Sequence, residues 1–364
     1  MMEAMSETRI PDREDVDRFA LRVWQYKQGE VVSLMVHLGD RLGLYRAMDG
    51  AGWVTPAELA ATTGLAERWV REWLLGQAAA RLLEANDDAT SFALSAEGAL
   101  VLAREEDSLA FAAGAFSGGI APPAIVDALA EAFRTGVGLT FDQMGRVSAH
   151  RLARQSEPWA RLALVQRVIP ALDGVDDRLR AGARVLEVGC GGGAALLTLA
   201  AAYPASRFEG VDLSAFAIEH AEREAADSGL DNVAFRVGRG EELAPDGGHD
   251  LVMTLDCLHD MTRPDVVAGA VHGAIRPDGT WLIREIRSTG DWSANRRNPL
   301  LAMLYGYSVA SCMSSALSEP DGKGLGTVGL PPPAVEDLCR AAGFRSVVLH
   351  DLDDPATLFY EVTA

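Results

Sequence analysis

Apolar residues recur at helical spacing through the first part of the chain. Between residues 15 and 48 they fall three or four positions apart, which predicts a long amphipathic helical stretch. The positions that carry this pattern are Val16, Phe19, Leu21, Trp24, Val31, Val32, Leu34, Met35, Leu38, Leu42 and Leu44. A second helix is predicted to begin after Thr55, because Pro56 suits the first helical position and Glu58 can complete a capping box. A third helix is predicted over residues 67–81.

Residues 82–94 predict a strand, a turn and a second strand. Two helices joined by a turn and followed by a β-hairpin are typical of a winged-helix domain. DNA binding is one role for such a domain, and packing or dimerisation is the other. The third helix carries Arg68 and Arg71, but Glu67 and Glu72 accompany them, and the turn of the hairpin is acidic. Dimerisation is therefore the favoured role.

The second half of the chain changes to strands that alternate with helices, which predicts an α/β fold. The predicted elements are a strand from Val185, strand 207–214, a strand from His249, strand 274–285, helix 332–342, and strands 345–352 and 357–363. We divide the chain into a helical and winged-helix domain (1–105), a helical connector (106–174) and an α/β domain (175–364). Residues 288–333 form an insertion in the last of these.

Composition narrows the function classes. The 364 residues carry a formal net charge of −19, which disfavours nucleic acid and anionic membranes as partners. The apolar runs are too short to span a membrane, and the N-terminus lacks the apolar stretch of a secretory signal, so we expect a cytoplasmic protein. Four scattered cysteines indicate neither disulfides nor a zinc site, and we expect no metal.

The main chemical motif is a strand that runs into the glycine-rich turn Gly189-Cys-Gly-Gly-Gly193 and then into a helix. Glycines let the backbone turn tightly and approach a ligand closely, and the helix N-terminus offers free N–H groups. Gly189, Gly191 and Ala194 fit a dinucleotide fingerprint, which leaves a nicotinamide enzyme open. Asp212 follows about 20 residues later, the spacing of a ribose contact.

The same turn read as Glu187-x-Gly-x-Gly-x-Gly193 resembles motif I of class I S-adenosylmethionine-dependent methyltransferases. Leu258-His-Asp-Met261 resembles the L-H-D-W motif of small-molecule O-methyltransferases, and Leu42-Gly-Leu-Tyr45 resembles the entry to their N-terminal winged-helix domain. The resemblance implies a Rossmann-like seven-stranded sheet preceded by a mainly α winged-helix dimerisation domain. It also implies S-adenosylmethionine as cofactor, S-adenosylhomocysteine as product, and a homodimer.

The resemblance assigns cofactor binding to Glu187, Gly189, Gly191, Gly193, Asp212, Leu213, Gly240, Glu241 and Asp256. The chain departs from the family pattern at Met261, which replaces the tryptophan of the motif, and at Arg239, which stands where an aspartate usually contacts adenine. Glu241 is the expected substitute.

His259 is the candidate general base, since a histidine pKa lies near neutrality. Asp256 or Asp260 is the expected residue to orient it. The apolar segment 300–313 predicts a helix buried on nearly all sides. His259 and, from that helix, Met303, Tyr305 and Tyr307 are the candidate substrate contacts, with a dimer-interface helix as the alternative.

The resemblance and the apolar insertion together predict methyl transfer to a small apolar or aromatic molecule, with oxygen favoured over nitrogen as acceptor. The alternative is a transcriptional regulator that senses S-adenosylmethionine or a metabolite and binds DNA through its winged helix.

Overall fold

The computed structural model describes residues 12–117 and 121–364, without the side chains of residues 147–150, 152 and 153. The N-terminal segment, where no secretory signal was expected, lies largely outside the described residues. The chain divides into two compact units, Met1–Glu105 with Ala110–Ile120, and Glu106–Leu109 with Ala121–Ala364. In the described ranges, no helix combines the length and apolarity needed to cross a lipid bilayer.

The first unit is a helical domain with a short hairpin, which confirms the predicted winged helix. Its elements are α1 (Arg13–Arg41), α2 (Leu44–Met48), α3 (Pro56–Thr63), α4 (Glu67–Ala79), β1 (Glu84–Ala85), β2 (Phe92–Ala93), α5 (Ala96–Leu102) and a 3-10 turn (Ala113–Phe116). The helix predicted across residues 15–48 is two helices, because Gly43 adopts a left-handed φ of 71° between them. Thr55 and Glu58 form the predicted capping box at the start of α3.

The core of the first unit is built where α1 and α4 meet α2. The Tyr45 ring packs edge-on against Trp73, with ring centroids 5.1 Å apart, and its hydroxyl donates to Gln77. A Cβ at Gly39 would lie 2.5 Å from the Trp73 ring, so this glycine permits the close approach.

The second unit begins with helices and continues as an α/β sheet. Its helices are α6 (Pro123–Thr135), α7 (Arg146–Trp159), a π-helical segment (Ala160–Val168), α8 (Ile169–Ala171), α9 (Val175–Ala181), α10 (Ala194–Ala202), α11 (Ala215–Asp227), α12 (Pro264–Ala274), α13 (Trp292–Asn295), α14 (Leu301–Tyr307), a second π-helical segment (Ser308–Cys312), α15 (Met313–Ala316) and α16 (Pro332–Ala341). Its strands are β3 (Arg184–Val188), β4 (Arg207–Asp212), β5 (Val233–Val237), β6 (His249–Leu255), β7 (Ile275–Ile286), β8 (Ser346–His350) and β9 (Thr357–Thr363). Short 3-10 turns lie at Asp142–Met144, Gly240–Glu242 and Leu258–Asp260.

The seven strands of the second unit have the order β5-β4-β3-β6-β7-β9-β8. All are parallel except β9, which runs antiparallel to both β7 and β8. From β3 the chain builds outward to β4 and β5 on one side, then returns to place β6 on the other. The carboxyl ends of β3 and β6 therefore flank a topological switch point, where open α/β sheets bind ligands.

Alternate residues of the central strands supply the two faces of the core. Leu251 and Met253 of β6 join the cluster that includes α10 and α11, while Val252 joins the cluster that includes α12 and α16. This alternation is the pattern of a sheet covered on both faces, and the predicted Rossmann-like seven-stranded fold is confirmed.

The insertion helix α14 corrects one expectation. Only part of its apolar surface is buried: Leu301 is buried, whereas Met303 and Tyr305 remain 44% and 42% exposed. In its continuation, Ser308 and Ser314 are buried. The expectation of a helix buried on nearly all sides was wrong, since Met303 and Tyr305 keep more than two fifths of their surface exposed.

Candidate active site

A cavity of about 1130 Å³ opens at the carboxyl ends of the central strands of the second unit. It is bounded by the connector helices, the glycine-rich turn, the loops after β4, β5, β6 and β7, and the insertion. Its volume exceeds the roughly 300–1,000 Å³ of typical small-molecule sites. The cavity is therefore large enough for two ligands bound side by side.

The glycine-rich turn forms part of the cavity wall. Gly189 and Gly191 line it with φ of 74° and 52°, and a Cβ on Gly191 would have no described atom within 4 Å. Gly193 instead lies under α10, where a Cβ would come 2.7 Å from the Phe235 ring. A Cβ on Gly189 would lie 2.8 Å from Cys257 Sγ, so Gly189 and Gly193 both permit close packing, and Gly191 is the member of the predicted set with open space beside it.

A buried carboxyl group, that of Glu187, and a partly buried one, that of Asp212, lie beside this turn. Asp212 accepts hydrogen bonds from the backbone N–H groups of Gly191 and Ser214, each at 2.8 Å. Glu187 is 3% exposed, and its Oε2 has no hydrogen-bond partner among the described residues. Burial raises the pKa of both groups, and for Glu187 the nearby Asp212 adds to the rise. Glu187 Oε2 is unpartnered and Asp212 can accept further hydrogen bonds, so a ligand with hydroxyl or ammonium donors would suit this pair, as the ribose and amino groups of a nucleoside amino acid would.

The loop after β5 differs from the expected adenine contact. Arg239 Nη1 lies 2.6 Å from Glu319 Oε1, and its Nη2 lies 3.2 Å from Glu241 Oε1. Glu241, the expected substitute for the adenine-contacting aspartate, lines the cavity but is already engaged by this cation. Gly240 also lines the cavity, and a Cβ there would lie 2.7 Å from Val188. Leu213 lines the cavity with half of its surface exposed.

His259 lines the cavity from the 3-10 turn after β6. It is 2% exposed, and its Nδ1 lies 2.6 Å from Oε2 of Glu285, which is 1% exposed. An ionised carboxylate only accepts hydrogen bonds, so we assign the proton to Nδ1 and leave Nε2 for the cavity. Burial alone would lower the pKa of His259, but the Glu285 carboxylate raises it well above its ordinary value.

The prediction that Asp256 or Asp260 orients His259 was wrong. Asp256 lines the cavity but forms an ion pair with Arg284 at 2.6 Å, and its φ of 54° turns the chain sharply after β6. It is Glu285 and not Asp260 that lies against His259 Nδ1, and burial raises the pKa of Asp260 to about 7. Glu285, which was not predicted from the sequence, orients His259 instead. The signal was present as an acidic residue near the carboxyl end of the apolar strand β7.

The insertion and the connector supply the remaining walls. Met303 and Tyr307 line the cavity as predicted, whereas Tyr305 lies outside its lining, with its ring 6.1 Å from that of Trp292. The connector contributes Trp159, whose ring lies 4.0 Å from the Arg284 guanidinium carbon.

Comparison with known sequences identifies both units. The family model described as a methyltransferase domain matches residues 179–316, and an Rv2258c-like winged HTH domain matches residues 30–104. The chain carries a methyltransferase domain. The predicted fold, a class I methyltransferase domain preceded by a winged helix, is therefore confirmed. The dinucleotide interpretation of the glycine turn is not confirmed.

The relatives of this methyltransferase domain cover only part of the chain. A fatty-acid O-methyltransferase from Mycolicibacterium smegmatis is 33% identical over 111 residues, which is 30% of this chain and 39% of that protein. The chain thus spans about two fifths of the length of that relative.

Two solved structures share the fold over almost the whole chain. Human N-acetylserotonin methyltransferase in complex with S-adenosylmethionine has a TM-score of 0.67 and 18% identity, and covers 99% of this chain and 100% of its own. An O-methyltransferase family protein from Burkholderia thailandensis has a TM-score of 0.63 and 21% identity, with coverage of 98% and 99%.

Proposed function

We propose that this protein is an S-adenosylmethionine-dependent methyltransferase that methylates an oxygen of a small, apolar molecule. The observation that carries the proposal is one large cavity lined both by the glycine turn and by His259, whose Nδ1 lies 2.6 Å from the buried Glu285. The glycine turn suits a nucleoside cofactor, and His259 suits proton removal from an acceptor.

The cofactor would be held by the turn and the carboxyl groups beside it. Gly191 allows close approach of the ligand, Asp212 can accept the ribose hydroxyls, and Glu187 offers an unused oxygen to a donor. When bound, S-adenosylmethionine supplies a methyl group on a positively charged sulfur. The solved relative that contains S-adenosylmethionine has the same fold, which supports this cofactor.

His259 would act as the general base. Its Nε2 can accept a proton from an acceptor hydroxyl or carboxyl group, and Glu285 stabilises the imidazolium that results. Glu285 also fixes the ring orientation, because its bond to Nδ1 selects the tautomer with a free Nε2. The mainly apolar lining stabilises charge poorly, which favours a reaction in which charge is neutralised.

The acceptor would be apolar. Trp159, Met303 and Tyr307 supply apolar and aromatic walls, and the volume left beside a cofactor is large. The fatty-acid and ubiquinone-biosynthesis relatives are both named as O-methyltransferases, which supports oxygen as the acceptor atom and a lipophilic substrate.

The test of the cofactor is isothermal titration of the full chain with S-adenosylmethionine and S-adenosylhomocysteine. We expect saturable binding of both, lost in Asp212→Ala and retained in Asp265→Ala, an aspartate outside the cavity lining. Absence of binding in the unaltered chain would refute the proposal. Methyl transfer to a panel of fatty acids and phenols would then identify the acceptor.

We further propose that the winged-helix unit forms a homodimer and does not bind DNA. On α4, Arg68 pairs with Glu72 and Arg71 pairs with Glu67, which leaves little positive charge for phosphates. The first half of α1 exposes large apolar side chains such as Trp24, which a second copy could bury. A mobility-shift assay at low salt would support the regulator alternative if it showed binding.

A further inference from the structure

Three side chains with different metal-ligand atoms meet beside His259 in the cavity. His259 and Asp260 come from the 3-10 turn after β6, and Cys312 comes from the π-helical segment of the insertion. The nearest ligand atoms of the three side chains all lie within 4.8 Å of one another. All three residues line the cavity, so a small ion can reach them.

We propose that His259, Asp260 and Cys312 form a binding site for a thiophilic divalent metal ion, for which Zn²⁺ is the best match. Imidazole nitrogen, carboxylate oxygen and thiolate sulfur are the three ligand types that Zn²⁺ takes in proteins. Zinc bonds of 2.0–2.3 Å place tetrahedral ligand atoms roughly 3.5 Å apart, so the group must contract slightly on binding. Rotation of the Asp260 and Cys312 side chains, which are both only partly buried, can supply that movement.

The hydrogen bond from His259 to Glu285 prepares the histidine for this role. A metal-binding histidine usually donates its other ring N–H to a carboxylate, which fixes the tautomer and strengthens the metal bond. Nδ1 of His259 already has this contact with Glu285 at 2.6 Å, so Nε2 is the atom left for an ion. The arrangement is a carboxylate–histidine pair with an additional oxygen and sulfur ligand beside it.

Binding at this site has a defined chemical consequence. The metal–sulfur bond forms as the Cys312 thiol loses its proton to solvent, with no change of oxidation state. Three protein ligands leave a fourth position open toward the cavity. Since the ion occupies Nε2, it would compete with the proposed base role of His259 and inhibit methyl transfer reversibly.

The test uses the full chain without cofactor, titrated with Co²⁺, a coloured substitute for Zn²⁺. We expect one ion per chain and a thiolate-to-cobalt absorption band that excess Zn²⁺ removes. Cys312→Ser should lose the band, and Asp260→Asn should weaken binding at least tenfold. Ser311→Ala and Asp265→Asn are matched controls that should keep both band and affinity. Glu285→Gln should weaken binding roughly 10- to 100-fold through the histidine.

Two results would overturn the inference: no saturable Co²⁺ binding by the unaltered chain, or a band that persists in Cys312→Ser. Neither result depends on S-adenosylmethionine. Metal binding without any methyl transfer would leave this inference standing while the proposed function failed, and methyl transfer without the band would do the reverse.

Discussion

Substitution of Gly193 by alanine tests whether this glycine of the turn serves packing and not ligand binding. Gly193 has a φ of 80°, and a Cβ there would lie 2.7 Å from Phe235 and 3.0 Å from Ala221. A left-handed conformation costs an alanine about 1–2 kcal/mol, and overpacking of a core adds about 1–3 kcal/mol. We therefore expect Gly193→Ala to lower the free energy of unfolding by about 2–5 kcal/mol.

Gly191→Ala is the matched control in the same turn. Its φ of 52° carries the same left-handed cost of about 1–2 kcal/mol, but its new methyl group would project into space free of described atoms. Because Gly191 lines the cavity, this variant should instead weaken the binding of S-adenosylhomocysteine.

Urea denaturation followed by circular dichroism measures the first effect, and isothermal titration measures the second. The comparison of midpoints is valid where the slope of the transition is unchanged. The reasoning fails if Gly191→Ala destabilises the protein as much as Gly193→Ala does. It also fails if Gly193→Ala affects only ligand binding.

Three further predictions concern other parts of the molecule. His259→Ala should lower the turnover of methyl transfer roughly 10²- to 10⁴-fold while leaving the affinity for S-adenosylhomocysteine unchanged; a parallel loss of affinity in titration would assign the residue to cofactor binding instead. Tyr203→Phe should cost about 1 kcal/mol in thermal denaturation, because its hydroxyl donates to Asp176 at 2.6 Å. That hydrogen bond lowers the pKa of Asp176, so its contribution is present above the unfolded pKa and is lost as pH falls through the folded one; an equal loss at all acid pH values would contradict this. Phe19→Asp with Trp24→Asp should convert a dimer to a monomer in light scattering, since the two side chains are 63% and 66% exposed in a single chain; an unchanged mass would remove α1 from the interface.

The parts of the site that were predictable are those encoded by neighbouring residues. The strand, glycine turn and helix around Gly189 depend on backbone conformation within a few positions, and Asp212 ends the next strand along the chain. The capping box at Thr55 is equally local. In each case one stretch of sequence contains both the cause and the result.

The missed features depend on contacts between distant segments. Glu285 meets His259 only because β6 and β7 are adjacent parallel strands, whose register brings their carboxyl ends together. Cys312 reaches the same place from the insertion. The exposure of Met303 was also missed, since periodicity shows that a side chain is apolar but not which neighbour is present to cover it.

The π-helical segment Ser308–Cys312 also affects how the cavity wall can diverge. A π-helical turn holds about one residue more than an α-helical turn, and each residue advances an α-helix by about 100°. Removal of one residue there would leave Met303 and Tyr307 in place but rotate the following turn, with Ser315, by nearly a third of a revolution. A single codon lost or gained at this segment would change which side chains of the following turn face the cavity, and would also break the hydrogen bond from the Leu139 N–H to Ser314 Oγ. Under the proposed function, the wall beside the acceptor could therefore diverge by length as well as by substitution.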